Sequence, residues 1–282
     1  MKKIAWVTDS TVYMSETLMN NPDVYVVPLT IIFEDEQYED GITITTEELY
    51  KKMNDSSISP TTSQPSIGTF VALYEELKEK YDHIMMIHVS DALSGTLSSS
   101  KQAADIVGLA YTAIDSKSLS YGITYLIEDG IRMQQAGKSI EEMASYMERV
   151  ISSLENYILV GSLKQLHKSG RMNGAQFFLG TMLSIKPIIQ INEGVIQVVE
   201  KVRTEKRAFL EIVKRSSASI KVNHVQKVAI LHGNREEDAH YWKAKLLEEN
   251  PSIQIDIAPI STTISVHAGE GTLAFLWYNT LE

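Results

Sequence analysis

Short apolar runs alternate with amphipathic helical stretches through the first half of the chain, and this alternation restricts the fold more than any other feature. "KIAWVTDS" reads as a buried strand ending in a polar turn, and "VYVVPLTIIFED" as a second β-branched run broken by Pro28. "TTEELYKK" opens a helix with a capping box, Thr45 with Glu48. "SIGTFVALYEELKEKY" has helical spacing behind a Ser66 cap, and "HIMMIHVS" reads as a strand. "SGTLSSSKQAADIVG" turns into a helix, "AYTAIDS" is a strand, and "YGITYLIEDGIRMQQAG" is a helix closed by Gly137. Ser139 and Glu142 form a second capping box for "IEEMASYMERVISSL". Strands and helices in this order predict a parallel sheet with helices on its faces. Ligands of such open sheets sit beyond the carboxyl ends of the strands.

The pattern changes after about residue 160. "YILVGSL" is strand-like, and "KPIIQINEGVIQVVEKV" reads as a hairpin turning at Asn192-Glu193-Gly194. Two amphipathic helices, "EKRAFLEIVKRSSASI" and "REEDAHYWKAKLLEEN", flank the strand "KVAILHG", and the strands "IQIDIAPI" and "LAFLWYN" follow. The expected fold is α/β in two domains. Residues 1–160 form a parallel α/β sheet domain, and 161–282 a mixed α/β domain with an antiparallel sheet. A chain of 282 residues is long enough for such a division.

Composition removes several function classes. The formal net charge of −10 opposes a role in gripping nucleic acid or an anionic membrane. Cysteine is absent, which excludes disulfides, thiolate metal sites and a cysteine nucleophile. No stretch approaches the length of a membrane span, and the apolar run after Lys2-Lys3 is too short for a signal peptide, so a cytoplasmic location is expected. Gly137-Lys138-Ser139 has the ending of a P-loop, but Arg132 stands at the required upstream glycine and a helix precedes it. It reads as a helix stop followed by a cap. Gly269-Glu270-Gly271 lacks the third glycine of a dinucleotide fingerprint. His83 and His88 project from opposite faces of one strand, which argues against a shared metal.

Two clusters of hydroxyl side chains remain, "SPTTSQPS" at 59–66 and "HVSDALSGTLSSS" at 88–100. Ser94 or Thr96 reads as a helix cap. Against capping alone stands the redundancy of Thr61, Thr62, Ser63, Ser90 and Ser94 at the expected ligand edge, so capping and binding both stand as readings. A hydroxyl both donates and accepts, so such a group holds a carboxylic acid, a carboxylate or a phosphate ester, especially beside helix N-terminal amides. Between Leu163 and Gln190, a basic turn around Lys168-Ser169-Gly170-Arg171 precedes an apolar segment with Phe177, Phe178, Leu179, Met182, Leu183 and Ile185. That segment reads either as a helix in its own core or as an apolar wall facing the first domain, with Arg171 exposed at its rim. "VHAGEGT" puts His267 in a loop between two strands, either solvated or at a site.

Taken in order, the motifs "VTDS", "PTTSQPS", "SDALSGT", "IDSKSLSYG", "LKQLHKSGRM", "KPIIQINEG" and "HAGEG" resemble those of the DegV family. These are bacterial fatty-acid-binding proteins that partner a fatty acid kinase. The resemblance implies one long-chain fatty acid held between the two domains, with Ser94 and Thr62 on the carboxyl, Thr61 nearby and His267 beside it. It implies an acyl-chain pocket at Phe177, Phe178, Met182, Leu183 and Ile185, and kinase engagement through Arg171. No cofactor is expected besides the bound fatty acid. The kinase would use ATP to form an acyl phosphate, which this chain would carry to an acyltransferase of phospholipid synthesis, without inserting into the membrane. The chain itself would then be no enzyme. Three positions depart from the family pattern: Ala92 and Ser169 stand where glycine is common, and Glu270 where proline is usual. The rival readings are a serine acyl hydrolase built on Ser94 and His267, and a carrier of another apolar ligand.

Overall fold

The computed structural model describes residues 2–55, 59–172 and 185–279. In chain order the elements begin with β1 (Ile4–Asp9), α1 (Glu16–Met19), β2 (Val24–Val27), β3 (Thr30–Phe33) and β4 (Glu36–Glu39). There follow α2 (Thr46–Asp55), β5 (Thr61–Ser63), α3 (Ile67–Lys78), β6 (His83–His88), α4 (Thr96–Val107) and β7 (Tyr111–Asp115). Next come α5 (Tyr121–Gln135), α6 (Ile140–Ser153), β8 (Leu154–Leu159), α7 (Leu163–Lys168), β9 (Lys186–Asn192) and β10 (Val195–Val202). The described elements end with α8 (Glu205–Val222), β11 (Lys227–His232), α9 (Glu236–Glu249), β12 (Gln254–Pro259), α10 (Thr262–Ala268) and β13 (Leu273–Tyr278). Two compact units divide them. Unit 1 holds residues 1–46, 60–151 and 261–263, and unit 2 holds 47–59, 152–260 and 264–282.

Unit 1 is built on a four-stranded parallel sheet of order β2-β1-β6-β7. Both central strands are buried at every position, as expected of a parallel sheet with helices on both faces. On one face Ala5, Val7, Ile84 and Met86 join Phe70, Tyr74 and Leu77 of α3 and Leu97, Ala103 and Ala104 of α4. On the other, Trp6 meets α5 and α6. Gly130 of α5 leaves no room for a methyl group against the Trp6 ring and Met147, and Gln134 accepts a hydrogen bond from Trp6 Nε1 at 3.0 Å. A small antiparallel sheet, β4-β3-β5, was not anticipated from the sequence. Its strands are three or four residues long, too short to carry a period.

The local signals behave as their chemistry dictates. Ser66 Oγ accepts from Thr69 N at 3.0 Å, capping α3. Ser139 N donates to Glu142 Oε2 at 2.8 Å while Glu142 N donates to Ser139 Oγ at 3.2 Å, a reciprocal capping box. With Gly137 at φ +79, the Gly-Lys-Ser sequence is a helix stop and a new cap, not a phosphate loop.

Unit 2 carries a six-stranded mixed sheet of order β10-β9-β8-β13-β11-β12, antiparallel except for the β11–β12 pair. Helices α8 and α9 bury Phe209, Ile212, Trp242 and Leu246 against Leu159, Ile188, Phe275 and Trp277 of the sheet. The β9–β10 hairpin turns through Glu193 and Gly194, both at positive φ, the two-residue turn that suits strand twist. The β8–β9 ladder is short, and a buried asparagine extends it. Asn156 receives the Ile191 N–H on Oδ1 and donates Nδ2 to the Ile191 carbonyl, each at 2.8 Å.

Gly130 sets a checkable balance. Alanine is the better helix former by about 1 kcal/mol, but a methyl group at Gly130 overpacks Trp6 and Met147, which costs about 1–3 kcal/mol. In a Trp242→Phe, Trp277→Phe background, where fluorescence reports Trp6 alone, the Gly130→Ala protein should therefore unfold at lower urea concentration than its Gly130 parent.

Candidate functional site

The sheet of unit 1 changes direction between β1 and β6: β2 is added on one side and β7 on the other. That reversal marks the place where open α/β sheets bind ligands. The turn after β6 is folded on Ser90, whose carbonyl accepts from Leu93 N at 2.9 Å and Ser94 N at 3.1 Å. It delivers Ser94 to the start of α4. The capping residue of α4 is Gly95, which supplies no side-chain acceptor to the helix amides. Ser94 Oγ instead meets Thr96 Oγ1 at 2.9 Å, so neither hydroxyl is consumed as a cap.

Gln64 joins the two hydroxyl clusters. It follows β5, which presents Thr61 and Thr62 along its pairing with Ile32 and Ile31. Its amide occupies the space where a side chain on Gly95 would stand, and Nε2 donates to Ser99 Oγ at 2.8 Å. Residues 61–64 and the Ser94-Gly95-Thr96 turn thereby meet. Glycine at position 95 is required by this approach, not by its φ of −77. Thr61 is exposed, while Thr62 and Ser94 are half-buried.

Beneath this surface, polar groups are buried that the sequence reading overlooked. Asp9 Oδ1 accepts from Thr11 N at 3.0 Å and Thr11 Oγ1 at 2.6 Å. Its Oδ2 accepts from Val89 N at 2.8 Å and lies 3.1 Å from His88 Nδ1. Burial by itself would raise the pKa of Asp9, but the hydrogen bonds and the charge of His88, with Thr11 and Val89, bring it below the usual carboxylate value. His88 Nε2 lies 2.9 Å from Ser100 Oγ, which also contacts Tyr74 OH. The "VTD" strand ending was visible in the sequence. The convergence on it of residues some eighty positions away was not.

Asp40 is a second buried carboxylate. It accepts from Ser10 Oγ at 2.8 Å and from Thr262 and Thr263 at the start of α10. Here burial outweighs the hydrogen bonds and the pKa is raised. His267 lies in the last turn of α10, not in a loop between strands as its sequence suggests. At seven residues, α10 is too short for its apolar spacing to be read as helical.

In unit 2, Tyr50 OH donates to the buried Ser265 at 2.8 Å. The loop after His267 depends on glycine. Gly269 and Gly271 have φ of +82 and +90, and Gly161 leaves no space for a side chain against the Glu270 backbone. Thr272 Oγ1 closes the loop, donating to the Gly269 carbonyl at 2.8 Å and accepting from Gly161 N at 3.0 Å. Glu270 takes hydrogen bonds from Asn234 Nδ2 at 2.6 Å and Asn54 Nδ2 at 3.4 Å, so its carboxylate is held by amides. Glu270 also borders a polar cleft of about 310 Å³ with Tyr50, Asn54, Ser162, Lys164 and Lys168.

Arg171 follows Gly170, whose φ is +78, and donates Nη1 to the Ser169 carbonyl at 2.5 Å. It is half-buried and not exposed at a rim, and burial lowers its pKa without approaching deprotonation. Burial first, and then the charge of Arg171, push His267 down to about 4, leaving a neutral imidazole at neutral pH. The structure thus brings Gln64, which follows Thr61 and Thr62, against the turn that carries Ser94 in unit 1, and sets His267 within reach of the Arg171 charge in unit 2. Ile185 is half-buried at the entry to β9. Phe177, Phe178, Met182 and Leu183 lie outside the described residues. Among the described residues, no group of three or more His, Cys, Asp or Glu side chains is placed to hold a metal ion, and no helix is long and apolar enough to cross a membrane.

The sequence pattern of the DegV family, described as uncharacterised proteins, matches residues 3–280. A DegV domain-containing protein of Listeria innocua is 33% identical over 278 residues, 98% of each chain. Among solved structures, DegV of Bacillus subtilis, described as a fatty acid binding protein, superposes with a TM-score of 0.90. It is 30% identical and covers 99% of this chain and 100% of its own. A DegV family protein of Thermus thermophilus, described by its fatty acid binding, gives a TM-score of 0.91 at 30% identity with the same coverage.

The lowered His267 pKa fixes the sign of a pH effect. Between about 6.5 and about 4 the unfolded chain takes up a proton that the folded chain refuses, so folding stability falls as pH falls through that window. This group contributes a loss on the order of 1–3 kcal/mol. Urea midpoints at pH 7 and pH 4.5 should differ less in His267→Gln than in the parent.

Proposed function

Because the chain belongs to the DegV family, we propose that it binds one long-chain fatty acid and presents the carboxyl to a fatty acid kinase. In this reading Ser94 and Thr62, with Thr61 nearby, hold the carboxyl, and the neutral His267 adjoins it. Phe177, Phe178, Met182, Leu183 and Ile185 line the acyl chain, and Arg171 engages the kinase. The kinase supplies ATP and forms the acyl phosphate, which this protein carries to an acyltransferase of phospholipid synthesis. Residues 1–160 carry the head-group site and 161–282 cover the chain. The fatty acid binding of the Bacillus subtilis and Thermus thermophilus proteins supports the ligand class.

The observation that carries the proposal is the meeting of two hydroxyl clusters through Gln64 and Gly95, at a helix start whose amides have no side-chain cap. Hydroxyls hold a carboxyl without fixing its charge, whereas a buried arginine fork on the same oxygens would bind the anion tightly and oppose its conversion. Affinity comes from the tail. At about 0.8 kcal/mol per buried methylene, some fourteen methylenes contribute roughly 11 kcal/mol before ordering costs. A head-group hydrogen bond contributes only about 1 kcal/mol.

The hydrolase reading requires a serine on an imidazole, with a third group orienting the ring and an oxyanion hole. The hydroxyl of Ser94 lies on Thr96 instead, which favours the carrier.

Mass spectrometry of the native protein and of its organic extract tests the ligand. Near-stoichiometric fatty acid is expected, and a protein that is empty and refuses added fatty acid overturns the reading. An isoprenoid or other apolar compound in the extract would make it a different carrier. The Ser94→Ala variant should retain fatty acid within about fivefold of the parent, the value of one hydrogen bond, while kinase-dependent acyl phosphate formation falls more steeply.

A further inference from the structure

The buried chain Asp9–His88–Ser100 has the order of a hydrolase triad, with Nδ1 on the carboxylate and Nε2 on the serine hydroxyl. It cannot act as one. Ser100 is the fifth residue of α4, is 0% exposed, and shares its hydroxyl with Tyr74. No reacting carbonyl reaches that oxygen, and the surrounding amides are committed to the helix. Asp9 and His88 are likewise 0% exposed. A set of directional polar contacts in the middle of an apolar core calls for another role.

The position of each member supplies it. Asp9 holds the N–H of Val89, the residue that leads out of β6 into the Ser90–Ser94 turn, and holds Thr11 after β1. His88 holds Ser100, one residue past the Ser99 that receives Gln64. Tyr74 belongs to α3, the helix that follows Thr61–Ser66. Leu97, Ala103 and Ala104 provide the apolar packing of α4 against the sheet. Apolar packing of this kind is non-directional, whereas a hydrogen bond of 2.9 Å to a ring anchored by a buried carboxylate fixes the position of the helix along its axis.

We propose that Asp9, His88, Ser100 and Tyr74 are positioning residues that set the placement of the carboxyl-binding hydroxyls Ser94, Thr61 and Thr62. The network grips the turn that delivers Ser94, the helix that begins beside it, and the helix that follows the two threonines. This rests on the fatty-acid reading given above. The Asp9 carboxylate anchors the network because its oxygens accept only. An amide in its place would turn a donor toward either Val89 or Thr11.

The test uses a long-chain fatty acid carrying carbon-13 at the carboxyl, loaded onto the full-length protein and followed by its NMR resonance. Ser100→Ala and Tyr74→Phe each remove one hydroxyl with little change of volume. His88→Asn keeps a donor toward Asp9 but cannot reach Ser100. Leu77→Ala, in the same apolar core, is the control for loss of stability alone. Lipid retention should stay within threefold in Ser100→Ala and Tyr74→Phe, while the carboxyl resonance moves or splits, and moves in the same sense in His88→Asn. The control should leave the resonance in place. An unmoved resonance in Ser100→Ala and Tyr74→Phe, or an equal displacement in Leu77→Ala, overturns the positioning role with the fatty-acid reading intact. If one of the two hydroxyl variants does not fold, the other decides. A parent protein that takes up no labelled fatty acid overturns the fatty-acid reading itself.

Discussion

A parallel sheet covered by helices on both faces leaves its polar groups little access to water except at the strand ends. In unit 1 this constraint organises everything else. β1 and β6 are buried along their whole length, so their polar residues collect where the strands stop. There the Asp9 carboxylate accepts hydrogen bonds from two loops at once. A buried carboxylate is costly unless nearly every lone pair is used, and Thr11, Val89 and His88 use them. The two loops that diverge from the reversal point of the sheet are therefore fixed to each other before any ligand is considered.

The hydroxyl-bearing surface is built on that foundation. Each member of the run Ser98-Ser99-Ser100 has a different neighbour: Ser98 meets Gln102, Ser99 meets Gln64, and Ser100 meets His88 and Tyr74. Successive helix positions point about 100° apart, so one tripeptide reaches solvent, the threonine loop and the core. The glycine before the helix completes the arrangement by giving its side-chain space to Gln64. Thr61, Thr62 and Ser94 thus lie on segments that unit 1 itself holds together.

Unit 2 solves a different problem, the close approach of backbone segments. Gly161, Gly269 and Gly271 allow the loop after α10 to lie on the turn after β8, and Thr272 fills the hydrogen bonds left at that junction. The Glu270 carboxylate at this junction is received by Asn54 and Asn234. Arg171 beside His267 joins burial in keeping the imidazole neutral.

The long helices could be read in the sequence because burial on one side imposes a period on them, and the central strands because burial on both faces makes them continuous apolar runs. The strands at 4–9, 83–88 and 111–115, the capping box at Ser139 and the turn at Glu193-Gly194 are all consequences of local chemistry. So were the two hydroxyl clusters, and the motif order that identifies the family. The short elements were not legible. β4, β5 and α10 hold no continuous apolar run, so nothing local marks them, and His267 reads from the sequence as a loop residue. Nor could spacing reveal that Asp9 meets Val89, that Gln64 meets Gly95, or that Ser94 is spared from capping. Sequence by itself determined which segments form strands and helices and which carry hydroxyls, since those depend on neighbours a few residues away. Only the tertiary structure decided which hydroxyls cap a helix, which are buried, and what holds them in place. Those outcomes depend on contacts between residues tens of positions apart, made when the sheet brings its strand ends together.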